Sequence, residues 1–84
     1  MDVLFHDDAF EDYQYFKPRD VRSFERINKL IKDIVRSPFS GIGKPEPLKY
    51  GLSVAWSRRI NQEHRLVYQV KDGAIYILQC KYHY

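Results

Sequence analysis

The nine residues Ser37-Pro38-Phe39-Ser40-Gly41-Ile42-Gly43-Lys44-Pro45 hold two prolines and two glycines, a density of breakers that no helix interior or central strand accommodates. That segment must be a loop. It divides the chain into two stretches whose apolar residues repeat with different periods, and so sets the broad plan of helices before it and strands after it.

Before the loop, Val21, Phe24, Ile27, Leu30, Ile31, Ile34 and Val35 recur at steps of three and four, the spacing of a helix with one apolar face. Asp20 stands where an N-cap is expected. Arg22, Arg26, Lys29, Lys32 and Arg36 fill much of the polar face, with Glu25 and Asp33 among them. Such a face is ordinarily solvated, and it also suits the wall of an RNA or partner groove. Upstream, Asp2-Val3-Leu4-Phe5 reads as a short strand. A first helix follows, capped by Asp7 or Asp8, with Glu11 and Asp12 complementing its dipole. Phe10, Tyr13 and Phe16 or Lys17 mark one face of it, and Pro18 is expected to end it.

After the loop the composition turns to β-formers. Val54 to Ile60, His64 to Val70 and Ala74 to Tyr82 read as strands, separated by Asn61-Gln62-Glu63 and Lys71-Asp72-Gly73, both short enough for hairpins. A short strand, two helices and an antiparallel β-meander make a small α+β domain. Two registers are open at the last hairpin. A two-residue Asp72-Gly73 turn pairs Val70 with Ile75 and Arg65 with Cys80, whereas a three-residue loop pairs Val70 with Ala74 and Arg65 with Gln79. The three-residue loop is preferred. It puts Leu66, Tyr68, Val70, Tyr76, Leu78 and Cys80 on one face and Arg65, Gln79, Lys81 and His83 on the other.

Eighty-four residues, 44% of them hydrophobic, suffice for one domain, residues 1–84, burying roughly 60–65% of the unfolded surface. The single cysteine, Cys80, excludes an internal disulfide, and no Cys and His spacing resembles a zinc site. No cofactor or metal is expected. The acidic start and the lack of a long apolar run lead us to expect a cytoplasmic protein with no membrane segment. Residues 1–43 carry 7 basic and 8 acidic side chains, whereas residues 44–84 carry 7 basic and 3 acidic. A polyanionic partner is therefore expected at the second half.

The chemistry-bearing residues gather there too. Tyr82-His83-Tyr84 sets an imidazole between two phenols at the end of a strand, and imidazole titrates near ~6.5, within reach of proton donation at neutral pH. Arg65 and Lys81 share its expected face, joined by Arg59 or Arg58 and by Glu46 and Lys49 from the segment entering the sheet. Carboxylate, guanidinium and imidazole are the base, cation and acid that RNA cleavage needs. Each has a plainer reading: Glu46 as a loop acid, Arg65 as an exposed strand cation, His83 as a strand end. His64 and His6 read as structural, Trp56 as core, and Tyr82 more as core than as a base-stacking platform.

Four segments carry a resemblance: Gly43-Lys44-Pro45-Glu46-Pro47-Leu48-Lys49, Trp56-Ser57-Arg58-Arg59-Ile60, Glu63-His64-Arg65-Leu66-Val67-Tyr68 and Tyr82-His83-Tyr84. With the stretch Arg26 to Asp33, they resemble the YoeB family of bacterial toxins, within the RelE-like group of ribosome-dependent mRNA endonucleases. The resemblance implies a microbial ribonuclease-like fold and cleavage of mRNA in the A site of the 70S ribosome, leaving a 2′,3′-cyclic phosphate and a 5′-hydroxyl. It assigns Glu46 as general base, His83 as general acid and Arg65 as the cation on the transition state. Lys49 and Arg59 match phosphate-contacting positions, and Tyr84 the terminal aromatic. A YefM-like antitoxin and a homodimer are implied as partners. Lys17-Pro18-Arg19-Asp20 and Val54-Ala55 depart from the family's pattern without touching these positions. A ParE-like toxin acting on a protein such as gyrase, or an RNA-binding module without chemistry, are the alternatives. Neither needs Glu46, Arg65 and His83 together.

Overall fold

The computed structural model describes residues 1–50 and 53–82. Its elements run β1 (Asp2–Phe5), α1 (Asp7–Arg19), α2 (Val21–Arg36), β2 (Glu46–Tyr50), β3 (Ser53–Arg59), β4 (Arg65–Lys71) and β5 (Ala74–Gln79). The strands form one mixed sheet in the order β1-β5-β4-β3-β2. The meander is antiparallel, as the sequence implied, and β1 adds to β5 in parallel at the far edge.

Both helices cover one face of the sheet. Ile27, Leu30 and Ile34 of α2 and Ala9 and Phe16 of α1 are fully or almost fully buried against Leu66, Tyr68, Ile75, Ile77 and Cys80. Val21 and Val35, at the ends of the apolar stripe of α2, stay exposed. Asp20 caps α2 as expected, accepting from the Ser23 amide at 3.1 Å. The cap of α1 falls instead on His6, with Asp7 and Asp8 inside the first turn, where they still complement the dipole. Pro18 does not stop α1, which runs on to Arg19. In the last turn proline forfeits one hydrogen bond, and the Asp20 amide closes the end on the Phe16 carbonyl at 2.8 Å.

One strand and one register depart from expectation. Glu46–Tyr50 is an edge strand rather than a bare approach to the sheet. Pro47 is tolerated there because an edge strand has one side with no ladder to donate to. At the last hairpin the three-residue loop is incorrect: Lys71 pairs with Ala74 and Val70 with Ile75, leaving Asp72 (φ 52°) and Gly73 (φ 75°) as a two-residue turn with both residues left-handed. The register then shifts once, from Tyr68 opposite Ile77 to Val67 opposite Gln79, so that Leu78 is the extra residue of a β-bulge. Tyr76 and Leu78 consequently leave the helix side, where they were expected, for a second apolar cluster with Ala55, Val67 and Leu48 on the open face. Ile75 and Ile77 take their places in the main core.

Candidate active site

The open face inherits its residues from the ladder. Glu46 lies opposite Ser57, Ser57 opposite Val67, and Arg59 opposite Arg65, so Glu46, Ser57, Arg59, Arg65 and Val67 share one surface of three adjacent strands. Glu46 and Arg59 are exposed, and Arg65 keeps only 15% of its side-chain surface. The Arg65 Nη1 stands 4.0 Å from Glu46 Oε1, in electrostatic contact but beyond hydrogen-bond length. Arg65 Nε is buried with no partner among the described residues. A buried N–H left unpaired is costly, and such an atom is a ready donor for an anion entering the face.

Two expected members belong elsewhere. Lys49 lies opposite Val54, one step out of phase with Glu46, so it starts from the other face at the sheet edge. Arg58 is fully buried on the helix side and is structural. Its Nη1 donates to Asp33 Oδ2 at 2.6 Å and to the Ile42 carbonyl at 3.1 Å, and its Nη2 donates to Ser37 and Ser40 carbonyls at 2.7 and 3.0 Å. Nε completes the set on the Tyr68 hydroxyl at 3.1 Å, and that hydroxyl donates to the Pro38 carbonyl at 2.6 Å. This guanidinium folds the proline- and glycine-rich loop onto the sheet, and so delivers the chain to β2 with Glu46 at its first position. Gly41 (φ 123°) sits where an added Cβ would overlap the Asp33 carboxylate. The Arg58 hydrogen bond, the strongest of several influences, lowers the Asp33 carboxyl from 3.8 to about 2.

Beside Arg65, His64 is buried and structural as expected. Its Nδ1 accepts from the Tyr82 amide at 2.7 Å, while the Arg65 amide donates to the Tyr82 carbonyl at 3.1 Å. Tyr82 (φ 64°) is left-handed and 57% exposed, so its expected place in the core is overturned. The Lys81 ammonium covers the Tyr15 ring at 3.6 Å. His83 and Tyr84 lie outside the described residues. The bulge at Leu78 decides the facing of the end of β5. It restores the parity that the two-residue turn had reversed, since Leu66 and Cys80 both enter the main core and Arg65 lies on the face of Val67 and Gln79. No sequence signal marked that bulge, and none marked the His64 clamp on Tyr82.

Residues 5–84 match the family model described as the YoeB-like toxin of bacterial type II toxin-antitoxin systems. Toxin YoeB of Escherichia coli K12 is 51% identical over 84 residues, with the whole of both chains covered. Among solved structures, a YoeB/ParE toxin from Agrobacterium tumefaciens superposes with a TM-score of 0.95 at 42% identity, covering 100% of each chain. YoeB from Staphylococcus aureus is similar in two settings. As a dimer it gives a TM-score of 0.92 at 52% identity, and in complex with YefM 0.89 at 50%, each covering 100% of this chain and 98% of that one.

Proposed function

Since the chain belongs to the YoeB-like toxins of bacterial type II toxin-antitoxin systems, we propose that it is a ribosome-dependent endoribonuclease that cuts mRNA in the A site. Residues 1–84 act as one domain, in the cytoplasm where ribosomes are. Glu46 takes the proton of a 2′-hydroxyl. The 2′-oxygen attacks phosphorus, the bond from phosphorus to the 5′-oxygen breaks, and His83 protonates that leaving oxygen. The products are a 2′,3′-cyclic phosphate and a 5′-hydroxyl, and the proton count closes on side chains alone. Arg65 spans two phosphate oxygens through its planar fork and offsets the charge that gathers on the phosphorane.

The observation that carries this reading is the pairing of Glu46 with an Arg65 whose buried Nε has no partner among the described residues. A phosphate oxygen supplies the missing acceptor, and the 4.0 Å between the two side chains, beyond hydrogen-bond length, sets both beside one reacting group. Arg59, across the ladder from Arg65, contacts the adjoining phosphate. Lys49 meets RNA around the sheet edge, and Tyr84 stacks on a nucleotide. A YefM-like antitoxin and a second copy of the chain are the protein partners, by likeness to the Staphylococcus aureus structures.

Single-turnover cleavage of a defined mRNA on 70S ribosomes tests the roles. Glu46→Gln and His83→Gln are each expected to lose ~10²–10⁴ in rate while ribosome affinity holds. Unchanged cleavage by His83→Gln removes it as the acid. Cleavage that purified ribosomes fail to stimulate removes the ribosome from the reading.

A further inference from the structure

Next to Arg65, a cavity of about 360 Å³ is lined by Arg26, Arg59, Ile60, Asn61, Gln62 and Arg65, at the small end of the range for ligand sites. Three guanidiniums meet there from three elements, α2, β3 and β4, and no carboxylate is among the described residues lining it. Arg26 is half-buried, and neither it nor Arg59 makes a side-chain hydrogen bond or ion pair among the described residues. Like charges held together in a partly desolvated space repel one another; Glu46, 4.0 Å from Arg65, offsets one of the three, and an anion entering beside Arg26 would offset the others.

The cavity continues. Arg26, Ile60 and Asn61 also line a second one, of about 480 Å³, that leads past Ser23 and Asp20 to Arg22. Its wall is rigid: Asn61 Nδ2 donates to Ser23 Oγ at 3.0 Å, Ser23 Oγ donates to Asp20 Oδ2 at 2.7 Å, and Asn61 Oδ1 accepts from the amides of Glu63 and His64, both at 2.8 Å. The Asp20 carboxylate is thus engaged by Ser23, whose hydrogen bond lowers its pKa, and it faces Arg22. Positive charge without a counter-charge is concentrated in the first cavity, at Arg26.

We propose that Arg26, reaching from α2 into the cavity beside Arg59 and Arg65, binds an RNA phosphate next to the scissile one, so that the substrate strand leaves the site along the groove towards Arg22. This rests on the endoribonuclease reading for its substrate. It also gives part of the basic face of α2 a role other than solvation. A phosphodiester is the anion whose repeat would occupy Arg65 and Arg26 in succession.

The test is the affinity of the intact protein for a single-stranded RNA carrying one 2′-deoxy nucleotide at the cut position, which binds without being cleaved, across a salt series. Arg26→Gln is expected to weaken binding about tenfold at low salt and to reduce the slope of log affinity against log salt by about 0.7, the share of one single-strand phosphate contact. Arg26→Lys should restore most of the slope, and Lys29→Gln, on the exposed part of the same helix, should change neither quantity. On programmed ribosomes Arg26→Gln should raise KM with little change in kcat. An unaltered slope for Arg26→Gln on the isolated strand overturns the proposal. So does a defect seen only on ribosomes, which would place the phosphate in ribosomal RNA. Wild-type protein that binds the 2′-deoxy strand but fails to cut the all-ribose mRNA on programmed ribosomes would fail the endoribonuclease reading, and the salt slope of Arg26→Gln would still decide the phosphate contact.

Discussion

Single residues in this protein divide by whether their polar atoms are satisfied. Arg58 and Arg65 are the same residue type on neighbouring strands, and the sequence offered both as candidates for one surface. Arg58 has all its guanidinium nitrogens hydrogen-bonded inside the protein, and it holds the fold. Arg65 has a buried Nε with no partner among the described residues, the atom that the proposed function gives to a phosphate oxygen. Truncating Arg58 strands the Asp33 carboxylate and the loop carbonyls, so Arg58→Gln should cost about 3 kcal/mol or more in urea unfolding, whereas Arg65→Gln should cost little and abolish cleavage. The Asp33 carboxyl, lowered from 3.8 to about 2 by Arg58 and its other donors, contributes stability that is complete above about pH 4 and is lost as the pH falls towards 2. An acid titration followed by circular dichroism should show that window, and Asp33→Asn should flatten it. Cys80 is fully buried and donates to the Ala9 carbonyl at 3.3 Å, and burial pushes its thiol up to about 12. Ellman's reagent at pH 8 should therefore react with it only after denaturation.

At the scale of elements, the register of β4 on β5 decides the site, and it does so in two steps that cancel. The two-residue Asp72-Gly73 turn alone would put Leu78 opposite Val67, and the bulge at Leu78 puts Gln79 there instead, on the face that carries Arg65. The expectation from core sorting chose the wrong turn because both turns bury an alternating set of apolar residues. Ile75 and Ile77 serve the main core as well as Tyr76 and Leu78 would have. Gly73 (φ 75°) has open space around a would-be Cβ, so Gly73→Ala should cost about 1 kcal/mol of backbone strain alone, lowering the urea midpoint with no change in slope. Strand β2 was hidden for the opposite reason. Pro45 and Pro47 read as breakers, and only the discovery that this strand is an edge makes Pro47 compatible with it.

Taken whole, the molecule is a helix layer on one side of a sheet, with a face of mixed charge left open on the other, and its small core makes partner binding a large fraction of its stability. A YefM-like antitoxin present at 100 times its dissociation constant should add about 2.7 kcal/mol, raising Tm by roughly 10 °C or more in differential scanning calorimetry. What the sequence by itself determined is the class of fold, the apolar stripe and cap of α2, the loop from Ser37 to Pro45, and the presence of Glu46 and Arg65 as candidates for the site. These follow from local rules, since period, breaker and side-chain chemistry act over a few residues. What only the tertiary structure decided is which face each side chain meets: Arg58 inward and Arg65 outward, Lys49 apart from Glu46, and Arg26 of α2 brought beside Arg59 and Arg65. Those outcomes depend on one turn, one bulge and one helix packing between residues far apart in the chain, and a single step of register reverses a strand.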